Sequence, residues 1–434
     1  MARVLFSTWP FPGHILPHLA IAQALRDRDH ECAFYTGPRA FKTLDQAGFP
    51  YFPFHGVDEE NLFHMLFVER QGYLDWTSAL TLPGLMREWL LDTLPSQVKD
   101  LLAVIEQWKP DAIVTDPTMW GPILVLHERY GIPVAVAAYF CCMVPGPDAP
   151  VFGLGLPPPR TAFRRLTNRV LRRMVHWTTS GFRRRANSIR AGYGLPPVHV
   201  SVTEFAGTMP LYLVPSSPEF DYERRGLPPS VQYVGPCVVQ QQHTETSTWL
   251  QQLRRDRPWV HATEGTIHVA EPLVLGATAR GLANLPMEVI LTTGGNREPA
   301  DVNLGPLASN IHLVKWISHS ELFPLTDVVI TTGGAGSVLA SLGAGVPLVV
   351  IPTEWDKPEV AQRVVAAGAG LKISPRECTP QRIRMAVEQV LSDPSFRSNA
   401  RRLAAAFGRY GGPKRAAELV EELVRTSRKE NQKS

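Results

Sequence analysis

The stretch that decides the fold is RVLFSTWPFPGHILPHLAIAQALRDRDHECAFY, residues 3–35. Residues 3–8 form a short apolar run that stops at a Pro/Gly cluster, which is typical of a buried parallel strand. Apolar residues then recur at helical spacing over residues 14–28. Because Pro17 is tolerated only in a first turn, we expect this helix to begin near residue 14. Residues 31–35 are a second apolar run, and a strand–helix–strand crossover of this kind predicts a parallel sheet.

The same alternation of strands and helices recurs along both halves of the chain. Short apolar runs that end at turn residues predict further buried strands, and the stretches between them carry apolar residues at helical spacing. The predicted strands occupy residues 112–115, 133–138, 259–263, 288–292, 312–316, 328–331 and 347–351. The sequence therefore predicts an α/β protein with two doubly wound, Rossmann-like domains.

A segment rich in Pro, Gly, Gln and Ser separates the two predicted domains. We assign residues 1–216 to an N-terminal domain, residues 217–247 to a linker and residues 248–434 to a C-terminal domain. We expect the last helices of the chain to pack back on the N-terminal domain. Open α/β sheets bind ligands at the carboxyl ends of their strands, so the cleft between the domains is the expected site.

The composition is that of an ordinary globular protein and excludes several functional classes. Of the 434 residues, 44% are apolar and 19% are charged, and the net charge of +4 is too small to indicate nucleic acid as the main partner. The five cysteines show no ligand spacing, which argues against both a disulfide framework and a zinc site. No signal peptide is recognisable, and the longest apolar run, residues 134–144, is far shorter than the ~20 residues of a membrane span. We expect a cytoplasmic protein.

The most informative motif is TTGGAGSVLASLGAGVP, residues 331–347. It predicts a strand that runs through a glycine-rich turn into a helix beginning at about Ser337. Glycines let backbone amides approach an anion, and a helix N-terminus adds about half a positive charge. Such a site holds a diphosphate without a metal ion. The alternative is a tight strand–helix turn with no ligand, and the spacing matches neither a Walker loop nor the dinucleotide fingerprint.

Three segments in register carry a resemblance to a known family. Residues 316–357, WISHSELFPLTDVVITTGGAGSVLASLGAGVPLVVIPTEWDK, resemble the nucleotide-sugar signature of inverting family 1 glycosyltransferases, which have the GT-B fold. PGHILP, residues 12–17, resembles the Gly-His-x-x-Pro motif of that family, and TWLQQLRRDRPWVHATEGT, residues 248–266, resembles the entry to its second domain. The bacterial enzymes that glycosylate macrolides and other natural products are the most similar members.

The resemblance implies two Rossmann-like domains that face each other across a cleft, the first binding an acceptor and the second a nucleotide sugar. It implies a hexosyltransferase that moves a sugar from a UDP- or dTDP-sugar to a hydrophobic aromatic or polyketide-like acceptor. The nucleotide sugar is a co-substrate, and no cofactor and no metal are implied. The family pattern places the donor-binding residues at Gly13, Thr266, Trp316, Ile317, Thr332, Gly334, Ala335, Gly336, Ser337, Asp356 and Lys357.

The resemblance also assigns roles to single residues. His14 is the candidate general base, because imidazole has a pKa near neutrality, and Asp116 is the candidate residue that orients it. Trp316 would stack on the base, the backbone of Ile317 would pair with the base edge, and Asp356 would accept hydrogen bonds from sugar hydroxyls.

Each of these roles has an ordinary structural alternative. His14 would then be a capping or packed histidine and Trp316 a core aromatic. Asp116 would only form a turn, and Asp356 would be a helix N-cap. His18, one helical turn after His14, is the competing candidate for the base.

Four positions depart from the family pattern. Thr332 stands where the family usually has His, and Lys357 stands where it has Gln. Ala340 replaces the ribose-binding Glu of many UDP-sugar enzymes, which puts UDP in doubt and leaves dTDP-sugars open. Glu264 places a negative charge two residues before Thr266, and the sequence offers no physical reason for it.

Two segments outside the motifs carry unusual composition. Residues 160–190 contain ten arginines and no acid, with apolar residues at helical spacing, and predict one amphipathic basic helix. We favour a solvated face of the acceptor domain over attachment to an anionic membrane or a carrier. The second segment, residues 54–94, predicts either a hydrophobic acceptor pocket or ordinary core. Its apolar and aromatic candidates are Phe54, His55, Phe63, Met65, Phe67, Tyr73, Trp76 and Trp89.

Two other functions stay open at this point. One is a non-catalytic auxiliary homologue that binds a partner enzyme, which the changes at Thr332 and Lys357 favour and the retained His14 and Asp116 oppose. The other is a sugar-nucleotide epimerase of the same architecture, which needs additional acid/base groups that the sequence does not reveal.

Overall fold

The computed structural model describes residues 1–68, 84–222, 224–239, 248–265, 272–295 and 297–432. Thr266, Tyr73 and Trp76 lie outside these residues. The described chain forms two parallel sheets, of seven and six strands. The first sheet contains β1 (Arg3–Ser7), β2 (Glu31–Thr36), β3 (Tyr51–Pro53), β4 (Ala112–Thr115), β5 (Val134–Ala137), β6 (Leu211–Val214) and β7 (Val231–Tyr233). The second contains β8 (Trp259–Thr263), β9 (Glu288–Thr292), β10 (Ile311–Val314), β11 (Val328–Thr331), β12 (Leu348–Val350) and β13 (Gly370–Lys372).

Both sheets have the strand order of a doubly wound fold. The orders are β3-β2-β1-β4-β5-β6-β7 and β10-β9-β8-β11-β12-β13, so each winding reverses beside its first strand. The central strands are buried on both faces, as their continuous Val, Ile, Leu and Ala residues predict. Ligand crevices form at the carboxyl ends of strands where the winding reverses, here β1/β4 and β8/β11. The predicted α/β fold with two Rossmann-like domains is confirmed.

Helices cover both faces of each sheet. Those of the first lobe are α1 (Pro12–Arg26), α2 (Phe41–Ala47), α3 (Glu59–Phe63), α4 (Leu94–Trp108), α5 (His127–Tyr130), α6 (Ala162–Thr178), α7 (Ser180–Gly192) and α8 (Val202–Ala206). The second half of the chain adds α9 (Leu273–Gly281), α10 (His319–Leu322), α11 (Ala335–Gly343), α12 (Lys357–Ala366), α13 (Pro380–Ser392), α14 (Pro394–Tyr410) and α15 (Pro413–Asn431).

Three predicted helix boundaries were wrong. α1 begins at Pro12, and Pro17 lies inside it. The helix tolerates Pro17 because the single bond lost is to the carbonyl of Gly13, in the first turn. The glycine-rich turn is also shorter than expected, since α11 begins at Ala335. The arginine-rich segment forms two helices, α6 and α7, that meet at Thr179.

The last helix of the chain lies on the first lobe. Ala416, Ala417 and Val420 of α15 share a buried cluster with α1 and with one face of the first sheet. At its far end, the Nη2 atom of Arg428 donates to Asp111 Oδ1 at 2.8 Å. The chain therefore crosses from the first lobe to the second and back again. No helix in the described ranges is both long enough and apolar enough to span a membrane.

Candidate active site

The first part of the site lies where the winding of the first sheet reverses. β1 and β4 are paired side by side, with Ser7 opposite Thr115, so both strands end at the same sheet edge. His14 lies in the first turn of α1, just after β1, and Asp116 directly follows β4. The His14 Nδ1 atom lies 2.6 Å from Asp116 Oδ2. The topology thus places together two residues that are 102 positions apart in the chain.

Asp116 is held as a charged and fixed partner. Its side chain is fully buried, and its Oδ1 atom accepts hydrogen bonds from the Thr118 hydroxyl and, at 2.8 Å, from the Thr118 backbone amide. Burial alone would raise the pKa of Asp116, but the charge and hydrogen bond of His14 outweigh it and hold that pKa below its usual value. A carboxylate at Nδ1 selects the tautomer in which Nδ1 carries the proton and Nε2 accepts one.

His14 keeps one edge open to the cleft. Its side chain is 15% exposed, and Nε2 has no hydrogen-bond partner among the described residues. The rings of Phe11 and Tyr139 pack against the imidazole at centroid distances of 5.8 and 4.6 Å. Burial lowers the pKa of His14, but the charge and hydrogen bond of Asp116, together with the charge of Asp356, raise it above its usual value.

His18, the competing candidate for the base, is placed differently. Its side chain is fully buried, and its Nδ1 atom lies 2.7 Å from the carbonyl oxygen of His14, one turn earlier in the helix. Burial lowers the pKa of His18. The structure therefore gives His18 a place in the core under α1 rather than a position in the cleft.

The second part of the site is the turn between β11 and α11. Gly333 has φ +90°, and a Cβ there would come within 2.9 Å of Val350 Cγ1, so only glycine fits. No side chain caps the helix at Gly334, and a Cβ at Gly334 or Gly336 would meet nothing within 4 Å. The N-terminus of α11 therefore has no side-chain cap and has an exposed residue, Gly336, in its first turn, at the positive end of the helix dipole. The turn is open, as a diphosphate site requires.

Thr332 does not contribute to this opening in the way that its motif position suggests. It is 1% exposed, and its hydroxyl donates to the carbonyl of Glu264 at 3.1 Å, which leaves no hydrogen for a phosphate. The hydroxyl instead ties the loop after β11 to the loop after β8. The side chain of Thr332 therefore ties two loops together, and its place in the donor-binding set stays a prediction.

Glu264 has a structural role that the sequence did not reveal. Its Oε1 atom accepts from the amides of Val274 and Leu275 at 2.6 and 3.4 Å, at the start of α9. A carboxylate there stabilises the helix by pairing free amides and opposing the dipole. The negative charge of Glu264 therefore lies at the N-terminus of α9 and caps that helix.

Asp356 and Lys357 connect the two parts of the site. Lys357 lies against the glycine turn, since a Cβ on Gly333 would be 3.3 Å from its carbonyl oxygen. Asp356 precedes it, and its carboxylate lies near enough to His14 to raise the pKa of the imidazole. Burial raises the pKa of Asp356 itself, and its side chain does not cap α12. The Lys357 Nζ atom donates to Thr353 Oγ1 at 2.8 Å, and burial lowers its pKa.

The other predicted donor-binding residues lie at the same edge of the second lobe or close to α1. Trp316, just beyond β10, is 49% exposed, so it is not a core aromatic; Gly295 is its neighbour. The side chain of Ile317 is buried, which leaves only its backbone to act. Gly13 is exposed in the first turn of α1, next to His14.

Aromatic residues from both lobes meet above His14. Phe67 packs edge-on against Phe11 and against Trp355, at centroid distances of 5.0 and 6.2 Å. Trp89 also contacts Trp355, at 6.0 Å. Trp355 precedes Asp356 and has φ +60°, a strained value for a large side chain. The predicted acceptor segment thus divides. Phe54 and Trp89 are buried in the core, Phe63, Met65 and Phe67 are partly exposed and pack against that core, and His55 is exposed.

Sequence reasoning missed a buried charge cluster between the lobes. The Arg363 Nε atom of α12 donates to Asp221 Oδ1 at 2.9 Å, and its Nη1 atom donates to Glu359 Oε2 at 2.8 Å. Glu359 Oε1 in turn accepts the backbone amides of Gly153 and Gly155 from the first lobe, at 3.0 and 2.8 Å. The cluster fixes α12, and with it Asp356, against the first lobe. Glu359 and Arg363 are four residues apart on one helix, but Asp221, Gly153 and Gly155 lie 142 to 206 positions from their partners and carry no local signal.

Comparison with known proteins decides the family. Residues 277–424 match the C-terminal domain family described as erythromycin biosynthesis protein CIII-like. The 4'-demethylrebeccamycin synthase of Lentzea aerocolonigenes is 35% identical over 433 residues, covering 98% of this chain and 100% of the relative. The demethyllactenocin mycarosyltransferase of Streptomyces fradiae is 26% identical over 430 residues, which cover 98% of this chain and 87% of that relative.

The chain belongs to the glycosyltransferases of macrolide and natural-product type. The predicted family and the predicted enzyme class, a hexosyltransferase, are confirmed. Among solved structures, the glycosyltransferase SsfS6 of Streptomyces sp. SF2575, complexed with thymidine diphosphate, superposes on this glycosyltransferase with a TM-score of 0.65. At 20% identity over 97% of this chain and 100% of the other, that likeness shows the GT-B fold.

Proposed function

We propose that this glycosyltransferase transfers the sugar with inversion of configuration at the anomeric carbon and that His14 is the general base. The observation that carries the proposal is the hydrogen bond of 2.6 Å between His14 and the buried Asp116. Asp356 lies near His14, and its neighbour Lys357 lies against Gly333, next to the start of α11. These two residues therefore connect the pair with the open helix terminus. A base on one lobe and an anion site on the other suit a direct displacement between them.

In this mechanism the acceptor hydroxyl donates its proton to His14 Nε2 as its oxygen attacks the anomeric carbon. The bond between that carbon and the diphosphate breaks on the opposite face, and the electron pair leaves with the diphosphate. The amides at the start of α11 stabilise the negative charge that develops there, and Asp116 stabilises the imidazolium. Asp356 accepts hydrogen bonds from the hydroxyls of the sugar. No step requires a metal ion.

For the donor we propose a dTDP-sugar ahead of a UDP-sugar. Ala340 lies on α11, and its methyl group cannot accept a hydrogen bond from a ribose hydroxyl. A deoxyribose has no 2'-hydroxyl, so a dTDP-sugar loses no hydrogen bond when Ala340 stands at this position. Trp316, half-exposed beyond β10, supplies a face for either pyrimidine. The complex of the similar enzyme SsfS6 with thymidine diphosphate supports the same choice.

For the acceptor we propose a flat, hydrophobic molecule with a nucleophilic group. The ring surfaces near His14 are those of Phe11, Tyr139, Phe67 and Trp355, and they come from both lobes. Ring stacking and apolar burial would hold an aromatic or polyketide-like skeleton there, while its reacting group meets Nε2.

The decisive experiment combines product stereochemistry with one substitution. With an α-linked dTDP-sugar, we expect a β-linked product in the NMR spectrum and activity that persists in chelator. His14→Ala should lose about 10²-fold or more in turnover, the usual contribution of a general base. His199→Ala, which changes an exposed histidine of the same lobe outside the predicted site, is the control. A retained configuration, or near-native turnover of His14→Ala, would remove His14 from the mechanism.

Nucleotide binding separates the two other functions. A ligand that binds the folded state raises the melting temperature by mass action, so dTDP should stabilise the protein more than UDP does. No shift with either nucleotide would favour the auxiliary homologue. Conversion of the donor sugar without any acceptor would favour the epimerase.

A further inference from the structure

Helix α6 exposes its apolar side to solvent. Five apolar residues recur every three or four positions and fall within an arc of about 80° on a helix of 3.6 residues per turn. Their exposures are 77% for Phe163, 56% for Leu166, 49% for Val170, 57% for Met174 and 77% for Trp177. We call these five residues the apolar stripe.

The side of α6 that touches the protein is polar. Asn168 is the only buried residue of the helix; its Nδ2 atom donates to the carbonyl of Ala149 at 2.9 Å, and its Oδ1 atom accepts the amide of Val151 at 3.2 Å. The Arg172 Nη2 atom donates to the same Ala149 carbonyl at 3.1 Å. Asn168 and Arg172 lie opposite the apolar stripe. The orientation is therefore the reverse of that expected for a solvated basic face, in which the apolar residues would turn inward.

Unpaired positive charge borders the apolar stripe. Arg164, Arg169 and Arg173 are exposed and form no salt bridge within the described part of the chain. The helix contains no acidic residue. An apolar strip with aromatic residues at both ends, bordered by arginines, is the pattern of helices that lie in the interface of a bilayer. The arginines complement anionic headgroups while the stripe enters the acyl boundary.

We propose that α6 binds this glycosyltransferase to membrane surfaces that contain anionic lipids. The helix lies in the plane of the interface, with Phe163 and Trp177 as its apolar anchors and the bordering arginines at the headgroups. The segment that leads to α6 leaves β5 at the sheet edge that carries His14, and Tyr139 at its start contacts that histidine. Binding through α6 thus places the acceptor lobe, and not the donor lobe, on the bilayer.

The test is sedimentation of the full-length protein with lipid vesicles at physiological salt. We expect the wild-type protein to sediment with phosphatidylcholine vesicles that contain phosphatidylglycerol, and much less with phosphatidylcholine alone. The double variant F163S/W177S should lower the bound fraction by about tenfold or more, because it removes the two most exposed rings. The variant R169S/R173S should remove the preference for anionic vesicles.

The control is Met385→Ser on α13, which changes a side chain of similar exposure, 53%, on the other lobe. This variant should bind like the wild type. Circular dichroism and the melting temperature should be unchanged in all variants, because the substituted side chains are exposed. A wild-type protein that stays in the supernatant with anionic vesicles overturns the proposal. Concentration-dependent dimers that F163S/W177S abolishes, without vesicle binding, would assign the apolar stripe to a second copy of the chain instead.

Discussion

Asp116 acts on His14 in two ways that are chemically separable. Its charge stabilises the imidazolium and so raises the pKa of His14, and its hydrogen bond holds the proton on Nδ1. In the proposed mechanism, the first effect makes His14 a stronger base but moves the onset of activity to higher pH, because the base must be neutral to accept a proton. The second effect keeps Nε2 available.

The variant Asp116→Asn separates these effects. The amide has no charge, so the pKa of His14 should fall and the acidic limb of the pH–rate profile should move to lower pH. Turnover should fall by about 10²–10⁴-fold, because an amide donor facing Nδ1 selects the wrong tautomer. The pH dependence of kcat/KM for the acceptor measures both. An acidic limb that stays in place would mean that His14 is not the titrating group.

Trp316 offers a second test at the level of one side chain. Because the indole is half-exposed, Trp316→Ala should leave the melting temperature unchanged. Loss of base stacking, worth about 1–3 kcal/mol, should raise the donor KM about tenfold or more. Trp316→Phe, which keeps an aromatic face, should recover most of the affinity. An unchanged donor KM in Trp316→Ala would place the base elsewhere.

Single residues also show what sequence reasoning can and cannot reach. The resemblance to the family pairs His14 with Asp116, and the structure brings the two side chains together at the ends of the first and fourth strands. Glu264 and Thr332 occupy motif positions as well, yet their side chains turn to α9 and to a backbone carbonyl. The direction of a side chain depends on its neighbours in space, which a motif does not contain.

At the level of secondary structure, the free N-terminus of α11 can be tested by charge. Gly336 is exposed and helical, and a Cβ there meets nothing within 4 Å. Gly336→Ala should therefore stabilise the fold by about 0.5–1 kcal/mol, the usual helix propensity difference. Gly336→Asp should fold equally well but should raise the donor KM about tenfold or more, because its carboxylate occupies the anion site. Equal donor KM values for the two variants would place the diphosphate away from this turn.

The boundaries of the helices were harder to predict than their existence. Pro17 suggested a start at residue 14, but a proline costs a helix only one hydrogen bond when it lies near the first turn, so the helix begins earlier. The arginine-rich segment was correctly predicted as helical and amphipathic. Periodicity does not reveal which side of a helix faces the protein, and here Asn168 is on the inner side.

At the level of the whole molecule, stability and lobe orientation both depend on Arg363. Its guanidinium and the carboxylates of Asp221 and Glu359 are at most 1% exposed. Arg363→Met would leave two carboxylates buried without this partner, so the free energy of unfolding should fall by about 3–5 kcal/mol. Denaturant titration at neutral pH measures the change.

The chain offers a matched control for that variant. Arg409 of α14 pairs at 2.6 Å with Glu219, which like Asp221 lies in the segment after β6, but the side chain of Arg409 is 63% exposed. Arg409→Met should cost no more than about 1 kcal/mol, as exposed ion pairs do. Similar losses for both variants would show that burial of the cluster does not contribute to the stability.

The two places where the chain passes between the lobes lie side by side. The amide of Gly412, at the return crossing, donates to the carbonyl of Val234, at the outward crossing, at 2.6 Å. Gly235, Gly411 and Gly412 all have positive φ, a conformation that residues with side chains rarely adopt, so both crossings depend on glycine. The hydrogen bond therefore ties the return crossing of the chain to the outward crossing. The position of Asp356 near His14 thus depends on these tied crossings as well as on the buried cluster of Arg363, Asp221 and Glu359.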